Sequence, residues 1–170
     1  MIAGAGVGVM PPTNKIIFYL PEGWTTLYQH QGEQRISERF TFTTLEHLAK
    51  EYKVSLEYQP TSLGPTDQIL EVGNNRPGIW MVSGNTLRFH FGLDGSTAKQ
   101  DFSDFPPLRK WTKLEIKQVK EGSTYYVTIS MNSKIISREI NSKPKDEYNL
   151  VTISQHPGLI KSILIQHKYD

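Results

Sequence analysis

The chain contains no cysteine, which excludes disulfides, thiolate metal sites and thiol catalysis together. At 170 residues it needs no covalent staple, because a domain of this size buries roughly 70% of the surface its unfolded chain exposes. Long apolar runs are also missing. The segment 1–10 is apolar and glycine-rich, but a membrane span needs about 20 such residues. It has no positively charged start and no A-x-A-like cleavage pattern follows it, so no signal peptide is evident in it. Residues 1–14 read as a flexible N-terminal tail, and 15–170 as a single domain. Charge of one sign is not concentrated either: 19 basic residues face 17 acidic ones, for a net charge of +2. The densest basic run, Arg109-Lys110-Trp111-Thr112-Lys113 with Lys117 and Lys120, is interrupted by Glu115 and Glu121. A solvated strand face explains it better than a nucleic-acid-binding stripe, so neither a nucleic-acid partner nor a membrane span is expected.

Helical periodicity is scarce, and a period of two dominates. Ile16, Phe18 and Leu20 alternate with Ile17 and Tyr19; a strand is also expected over 26–29, and another over 35–42, where Ile36, Phe40 and Phe42 share one parity. Val54, Leu56 and Tyr58 oppose Ser55, Glu57 and Gln59; Leu87, Phe89 and Phe91 oppose Arg88 and His90. Leu114 and Ile116 oppose Lys113, Glu115 and Lys117, while Tyr125, Val127, Ile129 and Met131 oppose Thr124, Thr128 and Ser130. Shorter runs fall at 69–72, 79–82, 135–140 and 150–153, and 160–167 is apolar on both parities, as suits a central strand. Such alternation marks half-buried strands of an antiparallel sheet. Ser83-Gly84-Asn85, Gly95-Ser96, Glu121-Gly122-Ser123 and Asn132-Ser133 supply the turns between them. One helix is expected, over 44–52, capped by Thr44 with Leu45, Leu48 and Ala49 one turn apart. About a dozen strands in one domain imply an all-β fold of two packed antiparallel sheets or a barrel.

The order of these strands resembles the concanavalin A-like lectin/laminin-G superfamily over roughly 54–169. The resemblance rests on Val54-Ser55-Leu56-Glu57-Tyr58, Gln68-Ile69-Leu70-Glu71-Val72, Pro77-Gly78-Ile79-Trp80 and Asn85-Thr86-Leu87-Arg88-Phe89. It continues through Lys110-Trp111-Thr112-Lys113-Leu114-Glu115-Ile116, similar to that superfamily's Trp-led strand, to the closing Ile160-Lys161-Ser162-Ile163-Leu164-Ile165. Between them a hairpin carries Asn132-Ser133 where relatives have Asp/Asn-Gly. The resemblance implies a jelly-roll β-sandwich and favours an extracellular or secreted setting. It is nearly silent on function, since the superfamily includes glycan lectins, adhesion modules and glycoside hydrolases.

The chemistry is thin. Glycosidases commonly need two carboxylates about 5 to 9.5 Å apart, and no Glu-x-Asp-x-Glu cluster occurs; Glu57 and Glu71 stand alone, and Asp101 with Asp104 falls in a proline-rich connection. No catalytic residue is assigned, and an enzyme is not expected. The five histidines form no zinc pair, so no metal ligand is assigned either. No cofactor is expected; calcium on Asp94, Asp101, Asp104, Asn74 and Asn75 is the alternative, although no Asp-x-Asp-x-Asp-Gly loop is present. A galactose site of the galectin type is not supported, since His90-Phe91-Gly92-Leu93-Asp94 lacks its Asn and Arg. The candidate binding residues are Arg88 and His90 on one polar face, Trp24 in the turn after Pro21, and the loop residues Asn74 and Asn75. Trp80 and Trp111 read as core or core-edge residues. The expected function is a non-catalytic module binding a glycan or an extracellular protein through loops or a polar sheet face. A structural, self-assembling or matrix interaction protein is the alternative, with a homo-oligomer among its forms, and a glycoside hydrolase-like enzyme with a site assembled from distant loops comes third.

Overall fold

The computed structural model describes residues 23–82, 86–103 and 107–169. The tail over 1–14, the strand expected at 16–20, the turn at 83–85 and Asp104 lie outside them. Twelve strands run through the described residues. In chain order they are β1 (Trp24–Ile36), β2 (Phe40–Leu48), β3 (Glu51–Pro60), β4 (Asp67–Val72), β5 (Gly78–Val82) and β6 (Thr86–Leu93). The remainder are β7 (Ser96–Phe102), β8 (Thr112–Glu121), β9 (Thr124–Met131), β10 (Lys134–Asn141), β11 (Glu147–Ser154) and β12 (Gly158–Lys168). They form two six-stranded sheets, β1-β12-β3-β8-β9-β10 and β2-β11-β4-β5-β6-β7. Every pairing is antiparallel. The chain is therefore an all-β sandwich, and its described part contains no helix.

The core follows from the alternation. Val54, Leu56, Leu114, Ile116, Val127, Ile129, Ile163 and Ile165 on the first sheet are at most 1% exposed, as are Leu70, Ile79, Met81, Leu87 and Phe89 on the second. Both sets belong to one apolar cluster, the outcome expected when each sheet has a single apolar face to bury. Strand β12 pairs with β1 on one side and β3 on the other, so it is central, and a register shift between Ile160 and Ser162 turns Ile160 and Ile163 to the same buried side despite their opposite parity. At the β9–β10 hairpin, Asn132 and Ser133 both have positive φ, 52° and 67°. A two-residue hairpin turn of the primed kind requires that conformation, so the pair does the work of an Asn-Gly.

Four local expectations are corrected. The segment 44–52 is not a helix: residues through Leu48 belong to β2, and β3 begins at Glu51. A nine-residue helix is marginal in water, whereas Thr41, Thr43 and Thr44 suit a strand and β2 pairs with β11 along its length. The run 35–42 is broken, because the exposed residues Ser37, Glu38 and Arg39 turn the chain between β1 and β2. Trp24 opens strand β1 opposite Lys168 and is half-buried, instead of standing exposed in a turn. Asp101 lies in strand β7 and not in a loop, paired directly with Arg88. No helix in the described residues is long and apolar enough to cross a membrane.

Candidate functional site

The outward face of the second sheet carries a compact group of polar and aromatic side chains. Since Leu87, Phe89 and Phe91 are buried, alternation turns Arg88 and His90 outward on β6. Register then decides what they meet. Gln68 of β4, Trp80 of β5, Arg88 of β6 and Asp101 of β7 lie opposite one another in a row across four strands. A second row, parallel to it, runs Glu71, Gly78, His90 and Lys99.

Trp80 sits at the centre of this arrangement. It is half-buried between the buried Ile79 and Met81, so the sequence expectation of a core tryptophan is corrected. Its indole N–H donates to Asn75 Oδ1 at 2.5 Å, and its ring meets the His90 ring edge-on with centroids 6.0 Å apart. Asn75 reaches this position because Gly73, Asn74 and Asn75 all take left-handed backbone, with φ of 62°, 49° and 61°. The turn thereby folds back over Gly78, where a Cβ would lie 2.6 Å from Asn75 Oδ1. Glycine at 78 is what allows the loop to approach the sheet.

Arg88 is held by Asp101 through two hydrogen bonds, Nε to Oδ1 at 2.6 Å and Nη2 to Oδ2 at 2.9 Å. Bidentate pairing fixes the guanidinium plane and leaves its other N–H groups for a ligand. The same hydrogen bonds hold the Asp101 carboxyl below its usual range. Burial, followed by the positive charges of Arg88 and Lys99, pushes the His90 imidazole down to about 4. At neutral pH it is therefore an uncharged ring. Its Nδ1 is buried without a hydrogen-bond partner among the described residues.

Of the residues singled out in the sequence, the structure brings Arg88, His90 and Asn75 to one place. Asn74 is exposed in the same turn, whereas Trp24 belongs to the other sheet. Trp80 and Gln68 were not anticipated as site residues, and Asp101 was considered only as a calcium ligand and not as the partner of Arg88. The parity of Trp80 is hidden because its neighbours Ile79 and Met81 are also apolar; only the cross-strand register to Arg88 exposes it.

Catalytic geometry is not evident on this face. Glu71 on β4 and Asp101 on β7 are three strand spacings apart, about 14 Å, beyond the reach of a glycosidase pair. Glu57 lies on the first sheet, engaged by Ser162 at 3.0 Å and Lys161 at 3.5 Å. Among the described residues, no three His, Asp or Glu side chains converge as a metal-binding group.

No family model matches the chain, and no curated protein matches it. Solved structures do. The CBM40 module of the Ruminococcus gnavus IT-sialidase, bound to α2,3-sialyllactose, superposes with a TM-score of 0.62 at 15% identity, covering 83% of this chain and 91% of that one. Domains LG4-5 of the mouse laminin α1 chain give 0.56 at 12% identity, covering 92% of this chain and 46% of that one. The endo-1,3-β-glucanase of Streptomyces sioyaensis gives 0.54 at 7% identity, covering 91% and 100%. The chain thus has the concanavalin A-like jelly-roll fold that lectin-type modules and laminin G domains share.

Proposed function

We propose that this protein is a non-catalytic carbohydrate-binding module that seats a saccharide on the outward face of its second sheet. The observation that carries the reading is the row Gln68–Trp80–Arg88–Asp101. A half-buried indole offers its exposed part as a flat apolar surface to the C–H face of a sugar ring, while Gln68, Arg88 and the edge of His90 supply directional polar contacts. Arg88 and Lys99 are matched by Asp101 and Glu71, so the face suits an uncharged sugar. Fold neighbours that carry bound glycan, such as the module with sialyllactose, support the class of ligand and not its identity. The distance between Glu71 and Asp101 speaks against hydrolysis on this face.

A glycan array with the unaltered protein and with Trp80→Ala, Arg88→Ala and His90→Ala tests this. Binding to a defined glycan that Trp80→Ala weakens at least tenfold supports it; no glycan bound by the unaltered protein sinks it.

A second reading, self-assembly, is favoured by one specific observation. Among the described residues strand β10 is an edge strand, and Ile135 and Ile140 on it are 60% and 61% exposed. Unpaired edges bearing apolar side chains are templates for association. Light scattering across a concentration series separates the two, since a strict monomer leaves only the binding module.

A further inference from the structure

We infer that the protein has a second ligand site, an open cleft of about 580 Å³ at one end of the sandwich that takes an acidic saccharide. Its volume lies in the range of small-ligand sites, roughly 300–1,000 Å³. The cleft is lined by Lys50 from the β2–β3 turn, Asp94 from the β6–β7 turn, Lys143, Lys145 and Asp146 from the β10–β11 loop, and Tyr148 at the start of β11. It is separate from the Trp80 face and does not depend on the reading given to that face.

Three features fit the cleft to such a ligand. The first is charge. Three lysines stand against two aspartates, and Asp146 is engaged by His47 Nε2 at 3.0 Å. Lys145 lies 4.0 Å from Glu147, but Lys50 and Lys143 have no ion-pair partner among the described residues. Two ammonium groups are thus available to a carboxylate or sulfate.

The second is an aromatic wall. Tyr148 is 62% exposed and stacks one face on His47, with centroids 4.7 Å apart and planes 15° from parallel. His47 stacks in turn on Tyr169, at 5.4 Å and 27°. A ring supported from behind presents its other face at little conformational cost, which suits a pyranose.

The third is rigidity. Buried Gln118 donates to the carbonyl of Lys50 at 2.7 Å, and buried Asn141 donates to Gln118 Oε1 at 2.8 Å. Asn141 Oδ1 accepts from the Lys143 amide at 2.9 Å, and the Lys143 carbonyl accepts from the Asp94 amide at 2.8 Å. One buried polar chain therefore fixes the backbone of both unpaired lysines, so the cleft is preorganised and not a chance gap between loops.

The test is calorimetric titration of the full chain with trigalacturonate, a heparin-derived tetrasaccharide and neutral cellotriose. At least one acidic probe is expected to bind tenfold or more tightly than cellotriose. Binding by trigalacturonate alone identifies a carboxylate ligand, and by the heparin fragment alone a sulfated one; either supports the site. Lys50→Gln with Lys143→Gln, and separately Tyr148→Ala, are expected to weaken that binding at least tenfold with melting temperatures near that of the unaltered protein. The proposal is overturned if neither acidic probe saturates, if cellotriose binds equally well, or if both lysine and tyrosine variants retain full affinity. Loss of acidic-saccharide binding in Trp80→Ala but not in the cleft variants would also overturn it, by moving the ligand to the sheet face.

Discussion

The Trp80 indole N–H and the Asn75 side-chain oxygen lie 2.5 Å apart, joining a strand residue to the turn that precedes its own strand. The bond sets the angle of the indole on the sheet face. It depends on three successive left-handed residues, Gly73, Asn74 and Asn75, so the platform and the turn form one unit.

Asn75→Ala leaves the indole N–H without its partner. A typical lost hydrogen bond costs about 1 kcal/mol of stability, and the freed ring can turn away from its binding orientation. Saccharide affinity at the Trp80 face is expected to fall three- to tenfold, read by titration calorimetry, with only a small loss in melting temperature. Unchanged affinity would show that the turn does not position the ring.

Gly78→Ala attacks the same unit from beneath. A Cβ there meets Asn75 Oδ1 at 2.6 Å and the Asn75 Cα at 3.0 Å. The side chain can swing aside, but the Cα belongs to the backbone and the whole turn must shift. Overpacking of this kind costs about 1–3 kcal/mol. Denaturant unfolding should show that loss, and the effect should shrink in a Gly73→Ala background, where the turn is already displaced by a clash with Leu150 Cδ2 at 2.3 Å.

Arg88→Ala makes a spectroscopic prediction. Burial is the largest cause of the low His90 pKa, and the Arg88 charge is the next. Removing Arg88 should therefore raise the His90 titration midpoint from about 4 toward, but not to, its ordinary value near 6.5. Proton NMR of the imidazole across pH 3 to 8 reads it. The exposed Arg88–Asp101 pair itself contributes little to stability, about 0–1 kcal/mol, so Asp101→Asn should affect glycan binding more than melting.

Stability should fall on mild acidification, and His156 is one of the histidines responsible. It is fully buried, hydrogen-bonded through Nδ1 to the Tyr58 hydroxyl, and burial pushes its pKa down to about 4. The unfolded chain takes up a proton below about 6.5, while the folded chain does not until about 4. The contribution is thus complete above pH 6.5 and lost as pH falls from there toward 4. His90 acts in the same direction. His156→Phe should flatten this acid limb by an amount on the order of 2 kcal/mol, measured as denaturant midpoints at pH 7 and pH 4.5.

Much of the fold could be read from the sequence because inward and outward residues alternate cleanly where one face meets water. The runs at Val54, Leu87, Leu114 and Tyr125 became β3, β6, β8 and β9 on the parity expected. Reading failed where the code is not local. Leu45 and Leu48 have helical spacing, yet pairing with β11 decides their conformation. β7 has only Ala98 and Phe102 to mark a strand among polar residues, because among the described residues it is an edge strand with little to bury. Asp101 was therefore misplaced, and with it the partner of Arg88. The polar parity of Arg88 and His90 was visible, but which tryptophan stood beside them was a question of register, which no single strand contains.

Asn141 has a consequence for the architecture as a whole. Two apolar sheet faces stacked on one another are aligned chiefly by how their side chains interdigitate, and a buried directional bond between the layers adds a constraint of a different kind. Asn141 ends β10 of the first sheet, is 2% exposed, and donates to the Gly92 carbonyl of the second at 3.0 Å. A directional bond with one acceptor, placed where no water can substitute for it, tolerates a single alignment of the layers. With the Ser137 hydroxyl, which donates to Gln100 Oε1 of β7 at 2.8 Å, this amide acts as a locating pin between the layers, so that any slip of one sheet on the other breaks a buried directional bond as well as the packing.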